Sequence, residues 1–596
     1  MSAPDDPILL CQRAFDHWNA GRGEAAEALF NQVLDADPDH AMALEGLAVI
    51  AVFRGESDKA RALIGRVLAK GPASLETRLN FADILYRAGA YDEARALVGG
   101  LIAEHPDIPP AYYLQGQILW ALGLIDEAFA SYRKARLELA PELAGYFEYL
   151  CHDRLADCDW RGYQAQADFI RERLRTGQQS WQSMTPILML DSPEDLARSA
   201  RIIARQYPPA PPLWTGERYR HDRIRVGYLT ADLCDHPVGN LIAGLLEHHD
   251  RTAFELTAFS FGPRLDDHVR RRLRPAFDEF LDLDTANDLS IARQIRNREI
   301  DILINLSGYT RDAKPAILTH RPAPVQVSYL GYPASMGSPI ADYLIADRHI
   351  VPERDVDFYA EKLVWMPDAY QPTDDLAPIG ETPTRAAAGL PEQGFVFMAY
   401  NHPNKIGPVI FERWMNILRR TPGSVLWLPK GGPAMLENLR REAQGRGIDP
   451  DRLIFAPRIP ERPGHIARHR LAGLFLDTLP FGAHSTASDA LWAGLPVLTC
   501  RGKTLAGRVC AGLLTVAGLP ELITETLDDY EDLAVALAVD PARLAQIRTH
   551  VGGEVRKSPL FDTARYTRHF EQALRTMVEI SRSGGPPRSF AVEAET

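Results

Sequence analysis

The stretch LAGLFLDTLPFGAHSTASDALWAGLPVLT, residues 471–499, passes from one apolar run to another through a turn that carries a histidine, two hydroxyls and an aspartate. It reads as a strand, a helix opening near Ser485, and a second strand, the unit from which parallel sheets are built. The first turn of a helix has backbone N–H groups without partners and the positive end of the helix dipole, so an anion is favoured there. The hydroxyls of Ser485 and Thr486 add donors, and His484 is placed to donate to a phosphate oxygen. Asp489, one turn further in, is placed to accept from the hydroxyls of a sugar. The competing reading is that Ser485 or Thr486 caps the helix and Asp489 complements its dipole.

The same texture runs back toward the amino terminus from this stretch. IRVGYLTAD, FELTAFSFG, IDILINLSG, VQVSYLGYP and ADYLIAD precede it, followed by FVFMAYN, VLWLPKG and LIFAP, each run separated from the next by a helical or loop segment. Two doubly wound α/β halves are predicted, with ligands beyond the carboxyl ends of the strands. NHPNKIGP follows one such end and presents His402 and Lys405, where a lysine can neutralise a diphosphate, although a lone loop lysine is usually a solvated charge. His465, in PGHIARHR, is a third candidate in this half. In the first half, His236 lies just past IRVGYLTAD, where an imidazole can take or supply a proton near neutral pH. Gly331, before Tyr332 and Pro333, would let the backbone approach a ligand closely.

The amino-terminal region has a different grammar. Gly21, Gly55, Gly89 and Gly123 are each 34 residues apart, Ala26, Ala60, Ala94 and Ala128 follow five residues later, and Pro38, Pro72, Pro106 and Pro141 close the units. This is the tetratricopeptide period of stacked helical hairpins, whose concave face binds peptide or protein. The expected organisation is repeats over 1–150, a helical transition and proline-rich linker over 151–220, α/β halves over 221–375 and 376–582, and a flexible tail over 583–596.

Composition sets the outer limits. The 596 residues are 46% hydrophobic and 24% charged, which fits a soluble multidomain protein. A net charge of −13 argues against general affinity for nucleic acid or anionic membrane. Six scattered cysteines form no C-x-x-C pair, so the predicted compartment is a reducing cytoplasm, and no run resembles a signal peptide or membrane span. The triplets Asp282-Leu-Asp284 and Asp355-Val-Asp357 are paired carboxylates of a kind that can hold a metal bound to a nucleotide diphosphate, and strand-end and loop roles are preferred for them. P-loop, G-x-S-x-G and H-E-x-x-H patterns are absent. Oligomeric state is left open, an oligomer included.

The repeats, followed by CDW (158–160), RVGYLTADLCDHPVG, NLSGYT, RPAPVQVSYLGYPASMG, NKIGP and LDTLPFGAHSTASDALWAGLPVLT, resemble the protein O-linked N-acetylglucosamine transferases and their bacterial homologues. The resemblance covers nearly the whole chain in order. It implies a tetratricopeptide α-solenoid followed by a GT-B glycosyltransferase of two Rossmann-like domains. The implied reaction is inverting and needs no metal or cofactor: N-acetylglucosamine passes from UDP-GlcNAc to Ser or Thr hydroxyls of a polypeptide that lies along the repeat groove. On the same resemblance, Lys405 contacts the diphosphate, and His484, Ser485 and Thr486 sit on the phosphates. Asp489 holds the ribose, His465 lies near the nucleotide, and Arg462 and Arg468 lie beside uracil and phosphates. His402 stands where the family has glutamine, Gly331 and Pro333 match the sugar-side loop, and His236 matches a histidine assigned either as general base or to positioning. Two alternatives remain: a SPINDLY-type O-fucosyltransferase using GDP-fucose, and a repeat scaffold without catalysis.

Overall fold

The computed structural model describes residues 6–68, 74–135, 151–177, 184–262, 266–283 and 286–594. The chain divides into two compact units, Met1–Tyr146 with Arg161–Phe169, and Phe147–Trp160 with Ile170–Thr596. Pro72, Pro141 and Asp284 lie outside the described residues.

In the first unit, paired helices follow the 34-residue period from Pro7–Asn19 to Ile125–Lys134. The four periodic glycines all have positive φ, between 72° and 79°, and each turns one helix into the next. A side chain there would be strained, which is why the sequence keeps glycine at this point of every unit. The four periodic alanines are completely buried where the helices meet. Tyr163–Thr176, assigned by the sequence to a transition, begins against the last hairpin: Phe169 packs on Phe129 with ring centroids 5.7 Å apart.

The second unit holds two parallel sheets. The first contains β1 (Ile224–Thr230), β2 (Phe254–Ser260), β3 (Glu279–Asp282), β4 (Ile302–Asn305), β5 (Val325–Ser328), β6 (Tyr343–Asp347) and β7 (Lys362–Met366). The second contains β8 (Val396–Met398), β9 (Val425–Pro429), β10 (Leu453–Ala456), β11 (Leu474–Leu476), β12 (Val497–Cys500) and β13 (Ile523–Thr524). A last strand, β14 (Phe590–Ala591), joins the first sheet beside β7. The strand orders are β14-β7-β6-β5-β4-β1-β2-β3 and β10-β9-β8-β11-β12-β13. Each order reverses direction once, between β1 and β4 and between β8 and β11, and crevices for ligands open at such points. This is the Rossmann-like pair expected from the strand pattern.

Two boundaries differ from expectation. The segment 583–596 is not a loose tail as far as it is described. Val592 N–H donates to the Trp365 carbonyl (2.9 Å), Leu363 N–H to Ser589 Oγ (2.9 Å), and Phe590 meets the ring of Tyr343. Helix Thr563–Arg582, counted with the second half from its position in the chain, packs against β5, β7 and helix Pro237–His248 of the first. Its Glu571 accepts from the buried His249 (3.0 Å), whose other ring nitrogen meets Tyr228 (2.8 Å). These are nonlocal contacts, and no local pattern announces them.

Asp282 and Asp355, the first members of the two carboxylate triplets, are committed to arginines. Asp282 pairs with Arg270 and Arg274, and Asp355 with the buried Arg508. All six cysteines are buried and none is in a disulfide. No described helix is long and apolar enough to cross a membrane.

Candidate active site

Adjacent strands β8 and β11 bring two loops together at the reversal point of the second sheet. After β8 the chain forms a short helical turn, Pro403–Lys405. The CDW motif grips this turn on both sides: the Cys158 thiol donates to the Pro403 carbonyl (3.7 Å), and the Trp160 indole N–H to that of Ile406 (3.0 Å). Lys405 thus reaches the loop after β11, where its ammonium donates to the Gly482 carbonyl (2.9 Å) and lies 3.7 Å from the centroid of the Phe481 ring. Burial pushes its pKa down to about 8, opposed by the carboxylate of Asp477. One bond of three leaves two ammonium hydrogens for a ligand.

Two residues past Gly482 the helix Ser485–Ala493 begins. His484 is its N-cap residue and makes no side-chain cap bond. Among the described residues none accepts from the backbone N–H of Ser485 or Thr486, so this helix start is open. The capping role weighed for Ser485 and Thr486 is therefore not the one they fill. Nor does the Thr486 hydroxyl point its proton at a ligand, since it donates to Asn401 Oδ1 (2.6 Å). His484 is likewise not the phosphate donor expected. Its Nε2 donates to the Ala506 carbonyl (3.1 Å), which leaves Nδ1 with a lone pair. Burial, then the Lys405 charge, push its pKa down to about 3 and keep the ring neutral.

Ser485 also lines an open cleft of about 210 Å³ between the halves. His236 and Asn240 line it from the first half, and Arg458, Arg462, His465 and Asp489 from the second. Arg462 donates to Asp489 Oδ1 (2.8 Å), so the aspartate sits one helical turn inside the cleft with one oxygen already committed. His465 accepts at Nδ1 from Arg468 (2.5 Å). Burial, with the positive charge of Arg468 and Arg462 and the neighbouring His469, drives its pKa to about 2. The neutral ring therefore carries its proton on Nε2. His236 caps helix Pro237–His248, its Nδ1 accepting from Val238 N–H (3.3 Å) with Asp232 3.6 Å away. In the neutral ring its Nε2 is a donor, which suits positioning rather than proton abstraction.

Four other expected residues lie elsewhere. Arg468 is buried against Pro457 (2.7 Å to its carbonyl) and the face of Tyr400, and acts on the cleft only through His465. On a helix of 3.6 residues per turn, positions 462 and 468 point about 120° apart, so both cannot face one cleft. Gly331 has no room for a ligand at its Cα: a Cβ there would lie 1.9 Å from the Leu306 carbonyl oxygen, so its small size serves packing between β4 and β5. Pro333 lines a separate hollow beside Leu196 and Leu505. His402 caps the 403–405 turn, accepting from Asn404 N–H (3.4 Å), and is exposed. Arg458 and Asn240 are cleft residues that the sequence reading missed; Arg458, directly after LIFAP, sat at a strand end like the others.

The sequence profile of glycosyl transferase family 41 matches residues 211–377 and 380–570, and a tetratricopeptide profile matches 11–74 and 79–144. The chain is 33% identical over 421 residues to "Probable UDP-N-acetylglucosamine--peptide N-acetylglucosaminyltransferase SEC" of Arabidopsis thaliana, covering 68% of this chain and 43% of that protein. It is 29% identical over 374 residues to the protein of the same designation named SPINDLY in Petunia hybrida, covering 61% of this chain and 40% of that one. It therefore spans less than half the length of these curated relatives. A mutant O-GlcNAc transferase of Thermobaculum terrenum has a similar solved structure: TM-score 0.64, 27% identity, 98% of this chain and 100% of that one covered.

Proposed function

The chain belongs to glycosyl transferase family 41, and on that premise we propose that it moves N-acetylglucosamine from UDP-GlcNAc to Ser or Thr hydroxyls of a protein, with inversion and without a metal or other cofactor. The observation that carries the reading is the convergence of Lys405 and the open start of helix Ser485–Ala493 on one turn. When a hydroxyl attacks the anomeric carbon, the bond to the diphosphate breaks and negative charge grows on the departing UDP. A fixed ammonium and oriented N–H groups stabilise that charge where it appears, and one such donor is typically worth about 3 kcal/mol of barrier. They supply the positive charge that a divalent cation provides in other diphosphate sites.

Asp489 and the Arg462 beside it fit the ribose hydroxyls, and Arg458 and the His465 Nε2–H fit the rest of the nucleotide. His236 positions the sugar or the incoming hydroxyl from the opposite wall. The tetratricopeptide repeats supply the surface for the acceptor polypeptide, as helical solenoids do elsewhere. Six cysteines held as thiols rather than disulfides go with a cytoplasmic location.

One second reading, transfer of fucose from GDP-fucose, stays open from the sequence resemblance to SPINDLY-type enzymes, while the SPINDLY-named relative itself carries a UDP-N-acetylglucosamine designation. A panel of nucleotide sugars with an acceptor peptide, read by mass spectrometry, decides between them. The expected product is a hexosamine adduct formed from UDP-GlcNAc and lost in Lys405→Ala. An adduct from GDP-fucose alone overturns the donor assignment, and no adduct from any donor returns the protein to a binding scaffold.

A further inference from the structure

The buried carboxylate of Asp477 lies behind both halves of the proposed diphosphate site. It is 2% exposed, at the end of β11. Its Oδ1 accepts from the N–H groups of Thr478 (2.7 Å) and Ala483 (2.6 Å) and from Asn401 Nδ2 (3.2 Å), and its Oδ2 from the Thr499 hydroxyl (2.7 Å). Two of these contacts continue to the site. The Ala483 N–H belongs to the same peptide group as the Gly482 carbonyl, which accepts from Lys405 Nζ at 2.9 Å. That peptide is held with its N–H against an anion and its C=O against a cation, so its dipole lies favourably between opposite charges. The second path runs through Asn401. Its Nδ2 donates to Asp477, which can only accept, and to the Thr478 hydroxyl (2.7 Å), which spends its own proton on the Phe481 carbonyl, so its Oδ1 is presented to the Thr486 hydroxyl at 2.6 Å.

We propose that Asp477 is a positioning residue for the transfer reaction: through the 482–483 peptide it holds the Lys405 ammonium in place and charged, and through Asn401 it fixes the open start of the Ser485 helix. This inference rests on the reading above that these two elements hold the diphosphate of the donor. Asp477 touches no ligand itself, since these four partners and the Cys510 thiol enclose it. Its charge opposes the burial that draws the proton from Lys405. The other titratable groups facing Lys405 are His484 and Cys510 from the second half and His402 on its own turn. The two histidines are shifted down and the Cys510 thiol well up, so Lys405 is the group among them that titrates in mildly alkaline solution.

The test is calorimetric titration with UDP at several pH values from about 7 to about 9.5, a window chosen around the usual carboxylate-to-lysine gap. The proteins are the full-length wild type, Asp477→Asn, Asn401→Leu, Lys405→Ala and the Asp477→Asn/Lys405→Ala double variant. An asparagine at 477 keeps the shape, can accept the two N–H bonds with its oxygen and can donate to Thr499. Wild-type affinity should fall as pH rises through the Lys405 transition. Asp477→Asn should move that fall about one unit toward lower pH and have a smaller effect in the Lys405→Ala background, where only the path through Asn401 remains. Asn401→Leu should weaken binding without moving the transition. If Asp477→Asn does not fold, Thr499→Val strips a donor from Oδ2, favours the neutral acid and should move the transition the same way by less. A folded Asp477→Asn with the wild-type pH dependence, or an effect that simply adds to that of Lys405→Ala, overturns the role of Asp477 alone. A wild type that binds no UDP overturns the donor reading and this inference together.

Discussion

Two helix starts bear on the same cleft, and each has a histidine at its N-cap. In the first half, His236 turns its ring back to accept from Val238 N–H, so helix Pro237–His248 has its first donors engaged from within. In the second half, His484 turns its ring away to the Ala506 carbonyl, and the start of Ser485–Ala493 stays open. The same residue type at the same position closes one anion site and leaves the other available. Only the open one has an ammonium group beside it, bound to the turn that precedes the helix. Anion binding is therefore asymmetric between two halves of similar topology, and the asymmetry follows from where two side chains point.

Removal of the ammonium should break the comparison most severely. Lys405→Ala is expected to lower turnover by about 10²–10³-fold, the usual cost of losing one donor to developing charge, with the unfolding midpoint nearly unchanged. Steady-state kinetics with thermal unfolding on the same sample checks both halves of that statement. Asp489→Asn leaves the helix start open but takes a charged partner from Arg462. It should raise KM for the donor by about tenfold or more, the range for hydrogen bonds to charged groups, with less effect on kcat. An unchanged KM would place the ribose elsewhere.

The capped start can be probed separately. His236→Ala should cost about 1 kcal/mol of stability, and His236→Asn should recover it, because asparagine caps well. Turnover should stay reduced in both, because asparagine does not restore the imidazole Nε2–H in the cleft. Full recovery of turnover in His236→Asn would make His236 a cap alone.

The smallest effect expected is on the pH profile. Lys405 must be protonated to act, and its pKa in the unliganded protein is about 8. Activity as kcat/KM should hold below that value and decline tenfold per unit above it. His484 and His465, at about 3 and about 2, are neutral throughout the neutral range and should add no acid limb. An acid limb within the neutral range would contradict that.

Much of this was legible in the chain because it is written locally. The 34-residue period encodes a positive-φ turn and a buried helix contact in every unit, so spacing alone identifies the repeats. The strand–turn–helix reading of 471–499 needed only apolar runs and a polar break, and the reversal of the sheet order at β8 and β11 then placed NHPNKIGP beside it. What could not be read depends on partners distant in sequence. KLVWM at β7 and the two residues of β14 form strands because each adds to a sheet built by others. Arg468 carries the right charge on the wrong side of its helix, and Gly331 is small because Leu306 is close, not because a ligand is. Asp477 gave no signal in LFLDT beyond a strand end, and its significance comes from contacts to residues 401, 483 and 499.

The most direct measurement is a structure of the protein with UDP bound. The β-phosphate should lie between Lys405 Nζ and the backbone N–H groups of Ser485 and Thr486, with the ribose at Asp489. A diphosphate bound at the Pro237 helix start, or one that leaves Lys405 on Gly482 without contact, would contradict the account.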